Sequence, residues 1–200
     1  MRVPMAVPEL RADAPPEGAP DLIEPIVGWR VWDVVESEEG LLLSSLCFRA
    51  TWPPRRAMLA SCRRSSLNIG RVRLPGHEAP HARCSCGIYA VESSDRALPY
   101  LSRLFRGGPR TVHRVVGPVA LWGTAVECTR GWRCSHAYPH ALYVPTGRLS
   151  LRGLVHGVWR PSRSVEEVAF ELTHYGVPIE IIDGGTAREL APHLREREEA

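Results

Sequence analysis

The sequence predicts an α+β fold: a mostly antiparallel small sheet or barrel with one or two helices, followed by a C-terminal β-α-β element. Short β-type runs alternate with Gly- and Pro-containing turns over residues 26–148, and a capping box opens an amphipathic helix near the C-terminus. The 200 residues are 44% hydrophobic and 24% charged. A chain of this size buries about 70% of its unfolded surface. Its apolar runs are shorter than the ~18 residues of a membrane span, so we expect no membrane partner.

Residues 1–25 predict a disordered or extended leader. They contain six prolines and scattered acidic residues, without the basic start and apolar run of a secretory signal. We therefore expect a cytoplasmic protein. In that compartment the six cysteines are expected to be thiols or metal ligands rather than disulfides.

Residues 26–148 predict a β-rich core domain with the candidate zinc site. The β-type runs cover residues 27–35, 41–51, 115–129 and 141–144. Between them, Ser93-Ser94-Asp95 can cap a helix that runs to about Arg106 and stops at Gly107-Gly108.

Residues 149–200 predict an acidic β-α-β element, which either forms a small subdomain or completes the preceding sheet. The predicted parts are a strand over 149–159, a helix opening at the capping box of Ser164 and Glu167, a buried strand over 177–183, and a final helical turn or two over 186–190. Gly176 fits the position that follows the end of the helix.

A cluster of cysteine and histidine residues predicts a structural zinc site. Its members are Cys62, His77, His81, Cys84 and Cys86. Zinc is usually held by four Cys or His ligands, because thiolate and imidazole suit a tetrahedral, borderline-soft ion. The two cysteines of the C-x-C pair can bind together, and Cys62 with one of the two histidines would complete the four. The spacing does not select the histidine.

Two other interpretations of the same cluster stay open. The cysteines could be small buried thiols near exposed histidines, or a redox pair. A disulfide within C-x-C would close a very tight and strained loop, which argues against a stable bridge.

The segment from His77 to His81 also matches H-E-x-x-H, in which one helix presents two zinc ligands and a general base. Here Glu78 would be the base of a zinc-dependent hydrolase. Leu74-Pro75-Gly76 precedes the motif and Pro80 lies inside it, so an uninterrupted helix is not expected.

Three further cysteines are interpreted without a metal. Cys128 and Cys134, with His136 and His140, have a looser spacing that favours incidental thiols on a strand and turn over a second metal site. Cys47 is predicted to be a core residue.

The charge distribution predicts an anionic partner for the middle of the chain. Residues 1–24 carry −3, residues 25–163 carry +12 and residues 164–200 carry −6, and every basic residue is arginine. Arginine presents a planar head with several donors that suits phosphate or carboxylate.

The arginine excess is strongest over residues 49–114, which carry +10. If these side chains share a face, they predict phosphate contacts and salt-dependent binding to nucleic acid. The candidate contacts are Arg55, Arg56, Arg63, Arg64, Arg71 and Arg73. Four aromatic residues could stack on unpaired bases, although burial in the core is the favoured interpretation: Trp52, Trp122, Trp132 and Tyr89.

Several short motifs resemble an uncharacterised family of small bacterial and phage proteins. The motifs are Gly28-Trp29-Arg30-Val31-Trp32, Cys84-Ser85-Cys86-Gly87-Ile88-Tyr89-Ala90, Leu121-Trp122-Gly123, Gly131-Trp132-Arg133 and Ala137-Tyr138-Pro139. The resemblance covers about residues 26–144. It implies one folding unit and brings no activity with it.

The first functional hypothesis is therefore a non-catalytic, zinc-stabilised binding protein whose Arg-rich surface contacts nucleic acid. The second is an adaptor or regulatory protein that binds an acidic protein. The third is the zinc-dependent hydrolase.

Overall fold

The structure is a computed structural model that describes residues 25–62, 68–69, 72–73, 77–102, 110–147 and 163–199. The predicted strand over 149–159 and the end of the predicted helix beyond residue 102 lie outside these residues. The same holds for nearly all of the predicted leader.

The described elements are ten strands, three α-helices and a short 3-10 helix. The strands are β1 (Ile26–Ser37), β2 (Gly40–Ser45), β3 (Met58–Leu59), β4 (Asn68–Ile69), β5 (Val72–Arg73), β6 (Ile88–Val91), β7 (Thr111–Cys128), β8 (Gly131–Pro139), β9 (Leu142–Pro145) and β10 (Ile179–Ile182). The helices are α1 (Ser94–Ser102), α2 (Val165–Leu172) and α3 (Ala187–Glu198), and the 3-10 helix spans Thr173–Tyr175.

Eight of the strands form one mostly antiparallel sheet, in the order β10-β9-β7-β1-β6-β8-β3, with β2 paired to β1. The long strand β7 pairs with β1 over its first half and with β8 over its second half. Strand β6 pairs with both β1 and β8. The four strands β7, β1, β6 and β8 therefore form a closed ring in which each strand pairs with the next. The α+β class with a small, mostly antiparallel sheet is confirmed.

The alternation of side chains along β1 creates two hydrophobic cores. Trp32 and Val34 point into a core that α2 covers, whereas Trp29 and Val31 point into a core that α1 and α3 cover. Successive residues of a strand face opposite sides of its sheet, which explains the division. Both faces of β1 are therefore buried.

Tyr175 anchors the C-terminal part of the chain to the first core. Its hydroxyl donates to the carbonyl oxygen of Trp52 at 2.7 Å and accepts from the backbone N–H of Leu43 at 2.8 Å. The side chain is 1% exposed, and burial raises the pKa of its phenol. The phenol thus satisfies two backbone groups that would otherwise be buried without partners.

The C-terminal elements complete the preceding sheet. Strand β10 pairs in parallel with β9, and α2 lies between them in sequence. The capping box predicted at Ser164 and Glu167 is present, with both reciprocal hydrogen bonds. Helix α3 is twelve residues long, so the prediction of a final turn or two was too short. Thr186 and Glu189 form a second capping box that begins it.

Two predictions of burial were wrong. Of the strand predicted to be buried over 177–183, Ile182 is buried in β10, whereas Glu180 and Ile181 are exposed. Strand β2 ends at Ser45, and residues 46–48 form a turn, so the strand predicted over 41–51 is shorter. Cys47 lies in this turn and is exposed rather than part of the core. An apolar run does not itself reveal where a strand turns away from its sheet, which is why the sequence placed this thiol inside.

The helices within the described residues include none with the length and apolar character required to cross a membrane.

Candidate metal centre

Four of the predicted ligands come together in space. The ligand atoms of Cys62, His77, Cys84 and Cys86 all lie within 4.8 Å of one another. The sulfurs of Cys62 and Cys84 are 3.8 Å apart, and the sulfur of Cys86 is 3.4 Å from Nε2 of His77. Tetrahedral zinc, with bonds of about 2.3 Å to sulfur, places its sulfur ligands about 3.8 Å apart. These separations fit one metal ion among four ligands.

Three segments bring the ligands to one place. Cys62 follows β3, which is tied to β8 through a hydrogen bond from the N–H of Ala60 to the carbonyl oxygen of Ser135 at 2.8 Å. Cys84 and Cys86 immediately precede β6. A turn joins the histidine segment to this pair, because the N–H of Cys84 donates to the carbonyl oxygen of His81 at 2.9 Å. The antiparallel pairing of β3 and β6 with β8 therefore positions the ligands.

Gly87 permits the close passage from Cys86 into β6. Its φ is +123°, a backbone conformation that L side chains rarely adopt. A Cβ at this position would lie 3.0 Å from the Cβ atoms of both Arg133 and Pro80. The glycine expected behind the C-x-C turn is thus required by conformation and by space.

Arg133 of β8 holds the backbone between the two cysteines. One of its guanidinium nitrogens donates to the carbonyl oxygens of Cys84 and Cys86, the latter at 2.9 Å. The arginine is 6% exposed. Groups that orient a metal-binding segment from behind affect metal affinity strongly, so Arg133 would support a metal ion held by these cysteines. Sequence reasoning assigned it no role.

The two candidate histidines have different surroundings. His77 belongs to the close group of four. The ring of His81 lies 4.7 Å from that of His77, but His81 is exposed and its Nδ1 accepts from the N–H of Arg83 at 3.3 Å. Residues 77–81 are not helical, and Glu78 is exposed. The geometry that H-E-x-x-H needs for two ligands on one helix face is therefore missing from this segment.

The local environment favours the protonated form of the Cys86 thiol when no cation is bound. Burial raises the pKa of the Cys86 thiol, and the neighbouring Cys84 and Cys62 raise it further, while a hydrogen bond with the backbone of His81 opposes them. A metal ion binds the thiolate form and releases the proton of this thiol. Metal binding at this centre would therefore depend on pH.

The second set of cysteines and histidines does not form a comparable group among the described residues. Cys134 is buried in the first core, where burial raises the pKa of its thiol. His136 stacks on Trp122 with ring centroids 5.9 Å apart, and His140 is exposed after β8. These positions fit incidental residues of a strand and turn.

The structure describes only some of the arginines that were predicted to contact nucleic acid. Arg55 and Arg56 are exposed, and Arg55 reaches toward the 3-10 helix, donating from Nε to the carbonyl oxygen of His174 at 3.2 Å. Arg63, Arg64 and Arg71 lie outside the described residues, and only the backbone of Arg73 is described, on β5. The shared face of these six side chains stays a prediction.

The four aromatic candidates divide between core and surface. Trp52 is 1% exposed and Trp132 is half-buried, whereas Trp122 and Tyr89 are 38% and 40% exposed. Tyr89 lies beside the candidate metal centre, because its hydroxyl donates to the carbonyl oxygen of Ser85 at 2.8 Å.

A scan against models of known protein families found no match to this chain. Searches of the curated proteins and of the solved structures also found none.

Proposed function

We propose that the protein is a non-catalytic, zinc-stabilised binding protein whose Arg-rich body contacts nucleic acid. The convergence of four ligand atoms within 4.8 Å of one another carries the first half of this proposal. Three thiolates and one imidazole form a set typical of structural zinc, and soft thiolate ligands disfavour magnesium and calcium.

The role of the zinc is structural. Catalytic zinc keeps one coordination position for water, whereas structural sites use four protein ligands. Cys62, His77, Cys84 and Cys86 would fill all four positions. Glu78 is exposed on a non-helical segment, so it lacks the position that the hydrolase hypothesis requires.

The charge of the middle of the chain supports nucleic acid as the partner. Residues 25–163 carry +12, and their cations are all arginines. Arg49, Arg56, Arg110 and Arg130 are exposed. Binding of such a surface to phosphates releases counterions, so affinity would fall steeply with added salt.

The first experiment measures metal content and nucleic-acid binding on the same untagged protein. We expect one zinc ion per chain and binding to DNA or RNA that weakens as salt is raised. Cys84→Ser should lose the metal, whereas Cys47→Ser, which changes an exposed thiol in a turn, should keep it. Protein without stoichiometric metal would refute the zinc site.

The partner requires its own control. The acidic-protein alternative predicts that a partner captured from lysate survives nuclease treatment, whereas a partner bridged by nucleic acid is lost. Undetectable binding to DNA and RNA at low salt would refute the nucleic-acid half and leave the metal site standing.

A further inference from the structure

A large open groove lies directly beside the metal centre. Its volume is about 930 Å³, and the ligands Cys62, Cys84 and Cys86 contribute to one wall. Apolar side chains dominate the rest of the lining, which also includes Phe48, Leu59 and Tyr89. The volume is in the upper part of the range of about 300–1,000 Å³ that is usual for ligand sites.

The charged side chains that line the groove are all cationic within the described part of the chain. They are Arg30, Arg49 and Arg130, and no carboxylate accompanies them among the described lining residues. Arg49 and Arg130 are exposed at the rim. A concave surface with one sign of charge and low-dielectric walls attracts anions.

Arg30 lies deeper than the other two arginines. Its guanidinium donates to the carbonyl oxygen of Tyr89 and to Oγ of Ser45, the latter at 3.1 Å, and lies 5.2 Å from the ring centroid of Trp52. Its Nε is shielded from solvent and has no hydrogen-bond partner among the described residues. Burial lowers the pKa of Arg30 to about 10, so it stays cationic at neutral pH. An anion in the groove would offset this charge.

Two aromatic side chains that line the groove are exposed to solvent. Phe48 is 55% exposed and Tyr89 is 40% exposed. Tyr89 is fixed in place by its hydrogen bond to Ser85 and by the guanidinium of Arg133, 5.8 Å from the ring centroid. A ring that is already immobilised loses little entropy when a flat group stacks on it. The metal centre, through Ser85 and Arg133, therefore holds this ring at the groove wall.

We propose that this groove binds single-stranded nucleic acid, with unpaired bases stacked on Tyr89 and Phe48 and phosphates contacting Arg49 and Arg130. Arg30 adds positive potential from the floor. This inference rests on the proposed function for the class of partner, and it places the contacts on residues other than the arginines that the sequence indicated. Bases in a duplex are stacked on one another, so the aromatic side chains favour a single strand.

The aromatic part is tested with fluorescence anisotropy on a labelled single strand of about ten nucleotides, as DNA and as RNA. Phe48→Ala should weaken binding by roughly five- to one-hundred-fold, the range for loss of one stacked base. Phe170→Ala is the matched control, because Phe170 is 76% exposed on α2 and does not line the groove. Tyr89→Leu should weaken binding similarly, whereas Tyr89→Phe should retain most of it.

The electrostatic part is tested with Arg49→Gln and Arg130→Gln. Each should lower affinity and reduce the slope of log affinity against log salt by about 0.7, the value for one contact to a single strand. Arg188→Gln is the control, since Arg188 is exposed on α3 in the acidic C-terminal region. Zinc content and circular dichroism of every variant would verify that the metal centre and the fold are intact.

The outcomes separate the two proposals. Equal loss of affinity in Phe48→Ala and Phe170→Ala, or unchanged affinity in all groove variants, would overturn the groove assignment while nucleic-acid binding stands. Tighter binding of a duplex of the same sequence would also overturn it. If the zinc-loaded protein binds no nucleic acid but binds polyglutamate through the groove, both the partner class and this inference are refuted.

Discussion

Arg133 donates a hydrogen bond to the carbonyl oxygen of Cys86 at 2.9 Å, and the same guanidinium nitrogen contacts the carbonyl oxygen of Cys84. One buried side chain of the sheet thus fixes the backbone on both sides of the C-x-C turn. The same guanidinium lies over the ring of Tyr89. Arg133 therefore connects the candidate metal centre, the sheet and the groove.

Replacement of Arg133 should weaken metal binding without removing a ligand. We expect Arg133→Met to lower zinc affinity by about 10- to 100-fold, the effect usual for residues that orient metal ligands. Competition with a chromophoric chelator measures this affinity. Arg130→Met changes an exposed arginine at the β7-β8 turn and should leave zinc affinity unchanged. Equal affinities for the two variants would show that Arg133 does not support the centre.

The cysteines should differ in reactivity according to metal occupancy. In zinc-loaded protein, iodoacetamide should modify exposed Cys47 quickly and leave Cys62, Cys84 and Cys86 protected, because metal-bound thiolates are not free to react. A strong chelator should increase the labelling of these three thiols, and for Cys86 more so as the pH is raised toward its elevated pKa, while the fully buried Cys134 stays protected. Mass spectrometry after partial labelling reports each site. Rapid labelling of the three before chelation would argue against a metal-bound state.

Loss of one partner of the buried ion pair between β1 and β7 should destabilise the protein far more than loss of one partner of an exposed pair. Nε of Arg114 lies 2.7 Å from Oδ1 of Asp33, with side chains 3% and 7% exposed. Asp33→Ala removes the carboxylate partner of a buried cation and should lower the free energy of unfolding by about 3–5 kcal/mol. Glu92→Gln, which removes a pair with Arg96 in which both side chains are 45% exposed, should cost less than about 1 kcal/mol. Urea denaturation compares them, and similar losses would contradict the prediction.

His113 should make stability depend on pH in the mildly acidic range. Burial lowers the pKa of this histidine below its usual value near 6.5, although the hydrogen bond with the carbonyl oxygen of Pro145 opposes the shift. The unfolded chain binds a proton near pH 6.5 and the folded chain only at lower pH, so lowering the pH through this window favours unfolding.

The variant His113→Gln, which lacks the titrating imidazole, tests this prediction. Its stability should decline less than that of the natural sequence between about pH 7 and the lower pKa of the folded protein. Denaturation at several pH values measures the difference between the two proteins. Parallel pH profiles would contradict the assignment to His113.

The fold class and the ligand cluster could be predicted because both leave local signals. The β-type run over 27–35 marks β1, and the capping box at Ser164 and Glu167 marks the start of α2. The density of cysteine and histidine between residues 62 and 86 predicts the cluster that forms the candidate metal centre. The choice between His77 and His81 depended on the path of a non-helical loop, which spacing does not determine.

The roles of Arg30 and Arg133 could not be identified from spacing, because they depend on contacts between distant strands. Arg30 donates to the carbonyl oxygen of Tyr89, and Arg133 lies over the ring of the same residue. Both arginines belong to a Gly-Trp-Arg sequence, at 28–30 and 131–133, on strands that pair with β6. The recurrence of that tripeptide was the available signal. The prediction that Cys47 is a core residue was wrong because a local apolar run does not show where the chain turns away from the sheet.

X-ray absorption spectroscopy at the zinc edge tests the central claim most directly. On untagged protein with measured metal content, we predict one zinc ion per chain, with three sulfur ligands at about 2.3 Å and one nitrogen ligand at about 2.0–2.1 Å. Cys47→Ser should give the same spectrum, and Cys84→Ser should lose the metal or a sulfur ligand. Absence of bound zinc, or a shell containing oxygen and fewer than three sulfurs, would contradict a structural centre formed by Cys62, His77, Cys84 and Cys86.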